Sequence, residues 1–309
     1  MTPLPVASYS YVCCHTYIRS TSRLPPQPQE DPVTGIDAPP HPFDTAVATE
    51  YLGGHRIAGR TCPDYANMVG PFGGVTAAAL LRAIEGHPDR MGDPLALTVN
   101  YAGPIADGEF EISARPVRTN RTNQHWQLEL AQNGAVTTTA TAVFGIRRDT
   151  WSDLELTMPS VPGPDQAEPQ EFPEFIAWGR NYDLRFVTGA VPEPVPSEAQ
   201  PGNPDSVSTL WLRDRPTRPL DFASLTAMSD AFYPRVFLRR GQYLPAGTIS
   251  LTVYYHASAA ELAAQGTEHL LGSARAHRFA HGHFDQNAHL WGRAGTLLAT
   301  SHQLVYFKG

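Results

Sequence analysis

The sequence predicts an α+β chain made of two copies of one unit, each a curled antiparallel sheet wrapped round a single hydrophobic helix. Three observations carry this. The stretch GVTAAALLRAIE, Gly74 to Glu85, is apolar on nearly every side, and four strand-like segments follow it. A second buried helix and strand, Asp221 to His256, stands in the same order later in the chain. Finally, pieces of the first half recur: LTVNY at 97–101 as LTVYY at 251–255, ISARPV at 112–117 as GSARAH at 272–277, and TTATAVFGIRR at 138–148 as LLATSHQLVYFKG at 297–309. The offset of roughly 155 residues is far longer than a solenoid repeat, so the chain reads as a fused dimer.

Composition limits the alternatives. With 309 residues, 41% hydrophobic and 17% charged, the chain can bury two cores of ordinary size. A net charge of −7 argues against nucleic acid as a partner, since that needs a basic footprint. Three cysteines, Cys13 and Cys14 adjacent, fit neither a disulfide framework nor a zinc spacing, which points to a reducing, cytoplasmic setting. No apolar run is long enough for a membrane span, and the first residues make a poor signal peptide.

Most of the prolines fall in the first 42 residues and at 159–219. Residues 1–42 are expected to be an extended tail, 43–148 a first domain, 149–171 a Pro-rich and acidic linker, and 172–309 a second domain. In the first domain FDTAVATEYLGGHRIAGRT reads as a strand pair turned at Gly53-Gly54. Gly86 and Pro88 stop the apolar helix, which must be enclosed rather than laid on a surface. The enclosing strands are 95–105, 108–117, QHWQLELA and AVTTTATAVFGIRR, the last two joined by the hairpin signal Asn133-Gly134. In the second domain FIAWGRNYDLRFVTG and SVSTLWLRDR read as strands around a Pro-rich loop at 190–204.

The second helix carries an unusual polar group. At 100° per residue Asp230 shares a stripe with Ala223, Thr226 and Ala227, opposite Leu225, Met228 and Phe232. A buried carboxylate is costly unless hydrogen-bonded or beside water, and the small neighbours suggest a water-holding slot. The plainer reading is a turn cap or an ion pair with Arg235 at the helix end.

PFGGVTAAALLRAI, the SD of TAMSDAF, GTISLTVYYH and LWGRAGTLLATSHQ together resemble the double-hotdog acyl-CoA thioesterases, of the acyl-CoA thioesterase II (TesB-like) type. The resemblance spans Phe43 to Phe307. It implies two fused hotdog units and a hydrolase of lipid metabolism that cleaves acyl-CoA to free acid and CoA, with no cofactor beyond the CoA of the substrate. It also implies that Asp230, Thr248 and Gln303 orient the hydrolytic water, and it leaves room for a homo-oligomer of double-hotdog protomers.

Physical reasoning supports that set. A thioester carbonyl is electrophilic enough for water to attack it if one group takes the proton and others fix its orientation. A buried amide at Gln303, on the face of Leu297, Ala299 and Ser301, must find partners. Thr248 taken alone fits the pleat of any strand. Gly73 and Gly74, at the start of the first helix, are candidate oxyanion or acyl contacts, with tight packing as the equal alternative.

Other signals are weaker. His277, His281, His283 and His289 with Asp285 offer metal-ligand types, but with no second cluster in view the expectation is no metal. Arg115, Arg118 and Arg121 are candidates for CoA phosphates or a solvated surface. G-x-S-x-G, Walker, Rossmann and H-E-x-x-H patterns are absent. Two rivals stand: a hotdog hydratase or dehydratase, which would want a His where Arg235 stands, and a non-catalytic acyl-CoA or lipid-binding protein.

Overall fold

The computed structural model describes residues 39–191 and 202–309. The expected tail to residue 38, Cys13 and Cys14 and most of the loop at 190–204 lie outside the described residues. A short helix α1 (Pro42–Ala46) comes first, where a strand was expected; Pro42 fills a first-turn position and the His41 ring accepts from the Phe43 N–H. Then follow β1 (Thr49–Gly53), β2 (Arg56–Arg60), α2 (Gly73–Glu85), β3 (Asp93–Tyr101), β4 (Glu109–Thr119), β5 (Asn123–Gln132) and β6 (Ala135–Gly145). The second set is β7 (Tyr182–Thr188), β8 (Ser208–Asp214), α3 (Phe222–Met228), α4 (Arg235–Arg240), β9 (Ala246–Tyr255), α5 (Ala259–Gln265), β10 (Leu270–Arg275), β11 (Phe279–Ala280), β12 (His283–Trp291) and β13 (Leu297–Phe307).

All the strands join one antiparallel sheet in the order β1-β2-β4-β5-β6-β3-β9-β13-β12-β10-β8-β7, with β11 beside β12. Read outward from its middle, the order is the same on both sides. At the seam β3 lies against β9, and the recurring LTV segments pair with each other, Leu97 with Val253 and Thr98 with Thr252. The two threonine hydroxyls meet at 3.1 Å. The other recurring segments fall on matched strands as well, β4 with β10 and β6 with β13. This is a double hotdog: two units share one open sheet, and residues 40–309 form a single compact body.

Helix α2 is enclosed, as its composition requires; Leu80, Leu81 and Ile84 have no accessible surface. It packs against α3 across the seam. The second helix is shorter than its pattern suggested. After Met228 the chain turns, runs irregularly to Pro234 and starts again as α4. Proline cannot donate in a continuing helix. Ser229 turns its hydroxyl back to the Leu225 carbonyl, and its own carbonyl accepts from the Ser301 hydroxyl of β13 at 3.0 Å. Asp230 therefore sits just past a helix end, not inside a helix. Similarly, 177–181 is a 3-10 turn leading into β7, not strand.

Candidate active site

Each member of the expected trio comes from a different element, and together they form a chain of contacts. The Thr248 hydroxyl donates to Gln303 Oε1 at 2.9 Å. Gln303 Nε2 donates to Asp230 Oδ1, also at 2.9 Å. The carboxylate also accepts from the Gly74 N–H, and its Oδ2 faces the start of α2. Asp230 is thus held by both halves of the chain.

Thr248 points inward because of a bulge. Leu251, Val253 and Tyr255 face the core, so simple alternation would turn residue 248 outward. Ser250 pairs with Leu304, but Thr248 pairs with Val305, so Ile249 is an extra residue that reverses the facing. The first half carries the matching bulge: Ala96 pairs with Val143 and Pro94 with Phe144.

The two glycines at the start of α2 allow a close approach. A Cβ on Gly73 would stand 2.8 Å from Asp230 Oδ2, and one on Gly74 would stand 2.6 Å from the Ala227 carbonyl oxygen. Side chains here would force the helix away from the carboxylate. Tyr101, at the end of β3, donates its hydroxyl to the Gly73 carbonyl at 2.8 Å, and burial beside Asp230 holds its proton on.

Burial dominates the electrostatics of Asp230. It pushes the carboxyl up from its ordinary value to about 7, while the bonds from Gln303 and Gly74 pull it partway down. No cation pairs with it among the described residues. Arg235, the expected alternative partner, is turned elsewhere: wholly buried, it donates to the Tyr233 carbonyl, Gln286 Oε1 and the Ser208 hydroxyl, over the Tyr233 ring. Its burial without an acid lowers its pKa to about 10. Gln303 is 4% exposed, whereas Asp230 and Thr248 are half-buried.

The remaining sequence candidates lie elsewhere. Arg115 donates to Gln127 and Arg118 to Asn120, both on exposed surface. Of the histidine group, His277 and Asp285 gather with His302, while His281, His283 and His289 stay outside that cluster. The role of Gln286 in holding Arg235 went unread, because nothing in the sequence separates a buried glutamine from a solvated one without strand register.

Comparison with known proteins agrees with this architecture. A model of the acyl-CoA thioesterase N-terminal domain matches residues 62–145, and one of the C-terminal domain matches 159–307. A conserved hot dog protein of unknown function from Alicyclobacillus acidocaldarius is 46% identical, with a TM-score of 0.82 over 87% of this chain and 99% of that one. A putative thioesterase II from Thermobifida fusca is 21% identical, with a TM-score of 0.75 over 88% of this chain and 99% of that one. The tesB protein of Mycobacterium avium subs paratuberculosis is 18% identical, with a TM-score of 0.70 over 86% and 98%. The last two likenesses speak to the fold alone. No curated protein matches the chain. With both domain models matched in order and a seam that joins two like units, the chain belongs to the double-hotdog acyl-CoA thioesterase family and is a thioester hydrolase.

Proposed function

We propose that the protein hydrolyses acyl-CoA to a free carboxylic acid and CoA by direct attack of water, with Asp230 as the general base. The observation that carries this is the relay from Thr248 through Gln303 to a carboxylate with no cation beside it among the described residues. A base works best when its pKa lies near the working pH, and burial raises that of Asp230 to about 7. Asp230 takes a proton as the water oxygen bonds to the carbonyl carbon. It returns that proton to the sulfur as the C–S bond breaks, leaving acid and thiol. Thr248 and Gln303 hold the carboxylate and the water in line. The Gly74 N–H is committed to the carboxylate, so Gly73 is the glycine free to serve as an oxyanion or acyl contact, at the positive end of α2. The few cysteines fit a cytoplasmic setting, and hydrolysis of acyl-CoA would place the enzyme in lipid metabolism with no cofactor beyond the CoA of the substrate.

Thiol release from short-, medium- and long-chain acyl-CoAs tests the reading. Turnover is expected with at least one chain length, and Asp230→Asn should lower it by about 10²- to 10⁴-fold with an unchanged circular dichroism spectrum. Acyl-CoA binding without thiol release at any length would make the protein a carrier. Parent-like turnover by Asp230→Asn would remove Asp230 as the base.

A further inference from the structure

Ser301, Gln303 and Val305 of β13 face the core, and His302 between them points to the opposite side of the sheet. There it meets Asp285 of β12 and His277 from the turn after β10. His277 Nδ1 lies 2.5 Å from Asp285 Oδ2, and His302 Nε2 lies 3.4 Å from the same oxygen. All three donor atoms fall within 4.8 Å of one another. We infer that His277, Asp285 and His302 form a binding site for one divalent transition-metal cation of the zinc class.

The donor set selects the ion. Two imidazoles and one carboxylate suit a borderline cation, whereas calcium and magnesium prefer an all-oxygen shell. Spacing agrees. Ligands at about 2.0–2.1 Å from a tetrahedral ion stand about 3.3 Å apart, close to the His302–Asp285 separation of 3.4 Å. His277 reaches that spacing by a side-chain shift of under about 1 Å. Both rings are roughly half exposed, at 54% and 57%, so the fourth position opens to solvent.

The surroundings orient these ligands as a metal requires. Asp285 Oδ1 accepts from the backbone N–H groups of His277 and Arg278, at 3.1 and 2.9 Å, which leaves Oδ2 as the single free donor atom. The far nitrogen of His277 lies 3.1 Å from Asn287 Nδ2, while Asn287 Oδ1 is buried with no partner among the described residues. Either setting of that amide gives the ring an outer partner at Nε2; with Oδ1 turned toward it the ring N–H donates there, and Nδ1 is left for the metal. Ligating histidines ordinarily make an outer bond of this kind. The cation takes the place of the proton that bridges Nδ1 and Asp285 Oδ2. Bound there, it pins the turn at 276–282 to the two strands behind the Gln303 relay.

Because the cluster lies on the face away from Asp230, the inference is independent of the thioester reading. The test uses the full, tag-free chain stripped with EDTA, dialysed against zinc chloride, with bound metal counted and thermal unfolding followed. One saturable equivalent is expected, with a higher melting temperature. His302→Ala and His277→Ala should each lose that equivalent, and Asn287→Ala should weaken it about tenfold. His283→Ala, exposed and outside the cluster, serves as the control for the other histidines and should bind as the parent does. If His302→Ala does not fold, His302→Gln replaces it. No saturable equivalent in the parent, or an equivalent retained without His302 or lost with His283, overturns the site.

Discussion

Matched positions of the two halves hold opposite chemistry. In the first half the register runs Leu97, Ala142, Trp126 across β3, β6 and β5; in the second it runs Leu251, Gln303, Gln286 across β9, β13 and β12. At the shared bulge Pro94 stands where the second half has Thr248. One half fills the space with apolar side chains; the other strings a polar relay through it. The ends of the two central helices differ in the same sense. The start of α2 faces Asp230, which has no cation beside it among the described residues. The start of α3 is capped by Asp221, and that end is closed by Arg82 and Arg218 at 2.5 and 2.7 Å. A fused pair keeps the strand order symmetric while the halves divide the work: the second supplies the carboxylate and its relay, and the first supplies the helix end that holds it.

Exchanging residues between the halves tests this contrast most strongly. Gln303→Ala gives the second half the residue of the first, and thiol release should fall by about 10²-fold as the relay is cut. The bond lost is one that lowers the Asp230 pKa, so the pH–rate profile, expected to rise through about pH 7 in the parent, should move to higher pH. The reverse change, Ala142→Gln, buries an amide without partners and should cost about 2 kcal/mol in urea unfolding.

The sealed helix end should behave as structure alone. Arg218 binds Asp44 and Asp221 at 2.8 and 2.7 Å and lies near Asp214, which burial raises to about 6 against its Ser224 bond and the nearby charge of Arg218. Arg218→Ala leaves Asp44 and Asp221 with Arg82 alone and takes the nearby charge from Asp214, and it should destabilise the fold by about 3 kcal/mol, with kcat of the folded fraction unchanged.

Stability against pH separates the two ends again. The Asp230 carboxyl holds its proton more tightly folded than unfolded, so its contribution is present below its ordinary value of 3.8 and is lost as pH rises towards about 7. Asp230→Asn should therefore unfold at higher urea than the parent near about pH 8, with the gain vanishing near about pH 4. The smallest effect belongs to Thr248→Val, which keeps shape and removes one hydroxyl; about a tenfold loss of turnover is expected, with stability nearly unchanged.

Much of the fold is legible in the residues. An all-apolar helix must be enclosed, and LTV twice in one chain locates the strands that form the seam. Asp230 and Gln303 stand out as polar groups on apolar faces, but Thr248 is legible only through family resemblance, because it reaches the core by a bulge that no alternation pattern announces. The break after α3 is signalled by Pro234, yet the apolar periodicity running on to Phe237 masks it. Helix α5 could have been read from Ser258 and Glu261, which make a reciprocal capping box. Of the cluster at His302, His277 and Asp285 are visible in the chain as ligand types, whereas His302 joins them only across strands, so spacing in the chain does not reach it.

The pairing of β3 with β9 has a consequence for how such a chain comes apart. Either half alone would present its seam strand as a row of unsatisfied backbone groups, an invitation to the first compatible edge it meets. Since those two strands share the LTV core that forms the seam, the compatible edge is another copy of the same fragment. A severed half would rebuild a twin-unit particle from two identical pieces. One made only of first halves would carry no working carboxylate, and one made only of second halves would lack the glycine-led helix that cradles it.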